Sequence, residues 1–252
     1  MKATTLKALA LMLGCCLAAC STNTGFKKAS PQVMAATNMQ LAIEYMKLGN
    51  MVSSRDYINL ALSEDPNNAN VQMTAGLVYE RLNDMRKAER FYSASYRLGK
   101  NDPNIQNTYA GFLCRTGKAV AGEKLFSEIA SNQLYQTPEV ALVNAGVCVG
   151  GTGDVVDAEK YFNRALAIHP NLPEAMLQLA NIAFDRGDTA QARDMVVRYL
   201  AVNPPTAEVL WLGFRVERKL GDATTAAGYA RRVQAEFPTS EQAQMMRSGV
   251  ER

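Results

Sequence analysis

Five cysteines and a single histidine are the side chains in this 252-residue sequence best able to do chemistry. A thiol can accept a lipid, bind a metal or close a disulfide, and an imidazole can act as base or ligand. His169 stands directly before Pro170, where a helix is expected to stop, so it reads as a helix C-terminal residue near the macrodipole. No cluster of Cys, Asp or Glu accompanies it, and no metal site is expected. The sequence contains no HExxH, GxSxG, Walker or GxGxxG pattern, and no histidine placed for a triad. Gly150-Gly151-Thr152-Gly153 falls at a turn between helices rather than after a strand, which argues against a phosphate loop. The expectation is therefore a protein that is not an enzyme, with no cofactor and no small-molecule substrate.

Three of the thiols belong to an N-terminal address. Lys2 and Lys7 precede an apolar run from Ala8 to Ala19, too short to span a bilayer, which reads as a secretory signal over residues 1–19. Its end, Leu17-Ala18-Ala19-Cys20, resembles the bacterial lipobox. That resemblance implies lipidation of Cys20, cleavage before it and N-acylation of the new terminus. Two or three acyl chains anchor stably where one is marginal. Cys15 and Cys16 would cut the apolar run short and read as filler. Ser21 follows Cys20 where an inner-membrane retention signal would carry Asp, so the implied destination is the outer membrane, with the body on its periplasmic face. Residues 20–34 read as a lipidated, flexible tether. Without Lys2 and Lys7 the chain has 25 basic residues against 24 acidic ones, which excludes the basic field that nucleic-acid binding needs.

The remaining sequence is one pattern repeated. Small residues recur at Ala42, Gly76, Ala110, Gly146 and Ala180, with gaps of 34, 34, 36 and 34. Twelve residues after each stands a second small residue: Ser54, Ala88, Gly122, Ala158 and Ala192. Four further on come Ile58, Tyr92, Phe126, Phe162 and Val196. Turn signals such as Gly49-Asn50, Asn83-Asp84 and Gly187-Asp188 separate the paired small residues, and Asp65-Pro66 or Asn203-Pro204 close the units. Small residues let paired helices approach, bulky ones fill the gap, and Pro stops the second helix. A sixth unit begins at Ala207 and places the bulky Phe214 at the small position, twelve before Ala226.

This pattern resembles the tetratricopeptide repeat, most plainly in the stretch GDVVDAEKYFNRALAIHPN. The resemblance implies an all-α, right-handed superhelix of six helix pairs over 35–238, in units 35–68, 69–102, 103–138, 139–172, 173–206 and 207–238. The two-residue excess is assigned to Asn132–Pro138, and residues 239–252 to a capping helix in which Met245 and Met246 cover the last open face.

Such repeats expose the first helix of each pair on a concave surface. There the first unit carries Ala36, Met39, Ile43 and Met46, and the second Asn70, Met73, Leu77 and Glu80. Met39, Ile43, Met46, Met73 and Leu77 form an apolar stripe suited to a partner's apolar anchors, since methionine adapts to varied ligands. The alternative is that they are ordinary core. Further along come Asn104, Asn107 and Arg115, then Trp211, Arg215 and Arg218, which read as a solvated face with one amphipathic aromatic. Met39 and Ile43 occupy positions where a carboxylate-clamp repeat would carry Asn and Lys, so that activity is not implied. Cys114 and Cys148, 34 residues apart, fall on the first helices of adjacent units at nearly the same height. In an oxidising periplasm they are expected to pair, the alternative being two separate buried thiols.

A lipobox followed by six repeats also resembles the type IV pilus biogenesis and stability lipoproteins of the PilF/PilW type. Asn107-Thr108-Tyr109-Ala110-Gly111-Phe112-Leu113-Cys114, the Asn132-Gln133-Leu134-Tyr135 loop, Ala226-Ala227-Gly228-Tyr229 and Phe237-Pro238-Thr239-Ser240 carry that likeness. It implies a pilotin: a scaffold that brings the secretin subunit of the pilus to the outer membrane and promotes its multimerisation. The competing reading is a lipoprotein adaptor for β-barrel assembly or for cell-wall enzymes.

Overall fold

The structure, a computed structural model, describes residues 29–133 and 135–249. The signal segment and Cys20 lie outside those residues. The described chain is thirteen α-helices and no strand. Six antiparallel pairs follow one another: α1 (Pro31–Lys47) with α2 (Met51–Glu64), α3 (Ala69–Arg81) with α4 (Met85–Leu98), and α5 (Pro103–Arg115) with α6 (Ala119–Ala130). They continue as α7 (Pro138–Gly150) with α8 (Val155–Ile168), α9 (Pro173–Arg186) with α10 (Thr189–Val202), and α11 (Ala207–Leu220) with α12 (Ala223–Glu236). The short α13 (Glu241–Ser248) packs across α11 and α12.

Local chemistry sets these boundaries. Between the helices of each pair one residue turns left-handed: Gly49, Asn83, Gly117, Gly153, Gly187 and Gly221, with φ between 60° and 92°. Asparagine is the non-glycine residue that tolerates this conformation best. The next residue caps the second helix, and Asn50, Asp84, Asp154, Asp188 and Asp222 each accept a backbone N–H three residues on. Lys118 stands at the equivalent place in the third pair, and α6 has no side-chain cap. The first helix starts earlier than the tether assignment allowed. Ser30 accepts the Val33 N–H and Pro31 occupies the first turn, a start signal that brings 31–34 into α1.

The pairs close on matched volumes. A Cβ added at Gly76 would lie 2.7 Å from the Tyr92 ring, and one at Gly146 would lie 2.7 Å from Phe162. In the sixth pair the close approach is at Gly213, where an added Cβ would meet Tyr229 at 2.9 Å. This corrects the reading that placed Phe214 there. Gly213 stands 33 residues after Ala180, one short of the usual step, and it and the ring sixteen beyond it take the crossing, as in Gly76/Tyr92 and Gly146/Phe162. Phe214 instead shares a cleft with Trp211, Ala230, Met245 and Met246 against α13.

Four apolar clusters run end to end along the stack, bridged by residues such as Tyr109, Ala130 and Tyr161. No pair buries its faces alone, so stability is passed from neighbour to neighbour. Successive first helices also touch, α1 with α3, α3 with α5, α5 with α7 and α9 with α11, and together they form one wall of the stack.

Candidate functional site: the wall of first helices

The five residues of the apolar stripe lie on α1 and α3, and the structure half-buries all of them. Met39, Met46 and Leu77 pack against the N-terminal core cluster, so part of each side chain supports the fold. Ile43 and Met73 stand outside that cluster and remain half-exposed. Ala36 and Asn70, on the same face, are exposed.

Past Leu77 the wall turns polar. The Tyr92 hydroxyl donates to Glu80 at 2.7 Å, and Arg115 of the next repeat donates to the same carboxylate from Nε and Nη2 at 2.8 and 3.1 Å. Burial opposes the charge on Glu80, but the hydrogen bonds from Arg115 and Tyr92 outweigh it and hold the carboxyl below its ordinary range. Burial, then the neighbouring carboxylate, pushes the Tyr92 hydroxyl strongly upward, so it stays a proton donor. Asn144 on α7 donates to Asn107 on α5 at 3.0 Å, a second tie between adjacent first helices.

Cys114 and Cys148 are joined, with S–S 2.01 Å and Cα–Cα 5.4 Å, linking α5 directly to α7. Gly122 makes the room. A Cβ there would lie 2.4 Å from the Cys114 sulfur and 2.8 Å from the Ala110 carbonyl, in space that Ser54, Ala88, Ala158 and Ala192 fill in other pairs.

At the C-terminal end the solvated-face reading needs correction. Trp211 is buried, packed at 5.3 Å between centroids against Phe214. Arg215 lies over the Phe184 ring at 4.4 Å and Arg218 over Phe214 at 5.5 Å, so these cations cover aromatic surface. The sequence reading also missed Glu217, which is buried and accepts from Arg193 at 2.8 and 2.5 Å. A signal was present: Glu80 and Glu217 each stand four residues after the crossing glycine of a pair whose ring is a tyrosine. In the fourth pair the ring is Phe162 and the matching position is Gly150.

Among the described residues no group of three or more His, Cys, Asp or Glu is arranged to hold a metal, and no helix is long and apolar enough to cross a membrane. The wall offers surface, hydrogen bonds and adaptable side chains.

These features define a tetratricopeptide-repeat protein, and a family model described as "Tetratricopeptide repeat" matches residues 151–211. The chain is homologous to the type IV pilus assembly protein PilF of Pseudomonas aeruginosa, at 22% identity over 202 residues covering 80% of each chain. Among solved structures it resembles PilW, described as a widely conserved type IV pilus biogenesis factor. There the TM-score is 0.70 at 29% identity, over 84% of this chain and 97% of that one. A structure of Pseudomonas aeruginosa PilF gives a TM-score of 0.67 at 21% identity, over 87% and 99%. A tetratricopeptide protein from Parabacteroides merdae superposes with the same TM-score at 15% identity, so backbone shape alone does not single out the pilus proteins.

Proposed function

We propose that this chain is a type IV pilus biogenesis scaffold, a lipid-anchored pilotin that binds the secretin subunit and promotes its localisation and multimerisation in the outer membrane. One observation carries the reading: the likeness to PilW joins 29% identity to nearly complete coverage of that protein. The wall of first helices supports it, since it offers half-exposed Ile43 and Met73 beside a polar clamp rather than a reactive constellation. In this account Cys20 carries the lipid that sets the destination, and the stripe of Met39, Ile43, Met46, Met73 and Leu77 holds the cargo. No bond is made or broken.

The test is a strain lacking this protein, complemented with the wild type or with Cys20→Ala. The account predicts that secretin multimers and twitching are lost in the deletion and restored by the wild type, with normal envelope integrity throughout. The Cys20→Ala protein folds but leaves the outer-membrane fraction. An envelope defect with normal secretin multimers would point instead to the adaptor reading.

A further inference from the structure

We infer that the protein lies against an anionic phospholipid surface by one edge of its stack, the edge formed by the turns within the first three helix pairs. The inference rests on the lipid anchor read at Cys20 and adds how the body meets that membrane. Successive first helices pack side by side and run the same way, so the turns that end them share an edge. The second helices begin there with Met51-Val52, Met85-Arg86 and Ala119-Val120, whereas the last two pairs have Thr189-Ala190 and Ala223-Thr224. Leu48 is 79% exposed, Val52 61%, Met85 42% and Val120 82%. One such residue would mean little, but these recur along the same edge in successive repeats, and side chains so open to water add nothing to the core.

The third turn also departs from the capping rule. Lys118 stands at the N-cap of α6, where the other pairs have Asn or Asp, and a cation there opposes the helix dipole. Its partner is Glu89 of the preceding repeat, an exposed pair of the kind that adds little to stability. Lys47, Arg81, Arg86, Lys87 and Arg115 stand at the same edge. Glu44, Asp84 and Glu80 pair with Lys47, Lys87 and Arg115, which leaves the excess positive charge on Arg81 and Arg86. The fourth turn ends the patch, since Asp154 and Asp157 flank Val155 and Val156.

Charge chooses the edge, and the tether chooses the occupant. The opposite edge, where one pair joins the next, also exposes apolar residues, Val33, Leu98 and Ile168 among them. It carries Glu64, Asp65, Asp102, Glu139 and Glu174 against Arg97 and Lys100, so an anionic surface would repel it. Apolar tips beside cations are the composition that settles in the headgroup region. The sequence before α1 adds to the same field, since Lys27 and Lys28 are the only charged residues between Cys20 and Glu44. With 17 residues, α1 is about 25 Å long. Residues 21–30, between the lipidated cysteine and α1, can span about 35 Å. With the turn edge on the bilayer, the start of α1 therefore stands within reach of an anchor in the same leaflet. The first helices then run outward from the membrane, and Ile43 and Met73 on their wall stay open to a partner.

The experiment takes the full protein, purified from its own membranes, into vesicles of phosphatidylethanolamine and phosphatidylglycerol with brominated acyl chains, which quench a tryptophan on contact. Trp211, the native tryptophan, is buried in the sixth repeat and serves as the internal reference. Val120→Trp adds a ring on the turn edge and Leu98→Trp adds one on the opposite edge, both at sites exposed enough to accept it. The expected result is loss of about half or more of the added emission in Val120→Trp and none in Leu98→Trp. Omitting phosphatidylglycerol, or adding Arg86→Glu and Lys118→Glu, should restore that emission, since each cation near an anionic surface is worth about fivefold in partition. Leu48→Trp repeats the reading should Val120→Trp fail to fold. An anchored protein in which both turn-edge variants escape quenching, or in which Leu98→Trp is quenched as strongly, overturns the edge assignment and leaves the anchor standing. Quenching indifferent to phosphatidylglycerol and to the charge reversals overturns it too. Protein that does not stay with the vesicles at all overturns the anchor reading as well. Added emission shifted to the blue before vesicles are present, with the shift lost on dilution, would assign the edge to a second copy of the chain and overturn the inference.

Discussion

Replacing Ile43 and Met46 together by aspartate should abolish secretin multimers in the outer membrane, with lipidation unchanged and the fold retained at some loss of stability, since Met46 also packs against the N-terminal core cluster. The expectation rests on the end of the stack. Among the described residues no repeat precedes α1, and its apolar Ile43 and Met46 are left half-exposed. Ile43 also stands outside the N-terminal core cluster, and its truncation reports on the partner more than on the fold. Anchors of this kind are worth about 2 kcal/mol each, roughly thirtyfold in affinity. Arg215→Ala with Arg218→Ala should do far less, because those guanidiniums lie over Phe184 and Phe214 and serve local packing. Immunoblots of outer-membrane fractions at native expression, with circular dichroism of the purified variants, check both. Normal multimers with the aspartate pair would place the groove elsewhere.

Loss of the Cys114–Cys148 bridge has the second large effect. Closing a loop over 34 residues of separation restricts the unfolded chain by about 3–4 kcal/mol in the loop-entropy view. Cys114→Ser with Cys148→Ser should therefore lower the denaturant midpoint and steepen the slope, because the unfolded chain without the bridge exposes more surface. The structure adds a local cost, since the Cys114 sulfur packs into the space over Gly122. Gly122→Ala should destabilise as well, because its Cβ would press on the Ala110 carbonyl. Urea titrations of oxidised, reduced and double-serine protein measure these effects. Equal midpoints for all three would show that the bridge ties helices already held by packing.

Much of this architecture was legible in the sequence because it repeats local chemistry. Glycine or asparagine at each turn, Asn or Asp after it, and a bulky residue sixteen positions past a small one are short-range signals. Counting failed where a unit was one residue short. A step of 34 from Ala180 lands on Phe214, but the crossing belongs to Gly213, and only the fit under Tyr229 reveals this. Exposure was harder to read than register. Methionines on α1 and α3 serve core and surface at once, and Trp211 reads as surface until α13 and Phe214 close over it. The Glu80–Arg115 clamp joins residues 35 apart in neighbouring repeats, and such pairing becomes visible only once the superhelix sets the distance.

The central claim is that this chain holds the secretin subunit on its wall of first helices, and co-purification tests it most directly. The full lipidated protein is isolated from its own membranes at native expression, beside the Ile43→Asp/Met46→Asp variant. The account predicts that the secretin is the dominant partner of the wild type and is lost from the variant. Secretin recovered equally with both, or absent from the wild type while another envelope assembly dominates, would contradict it.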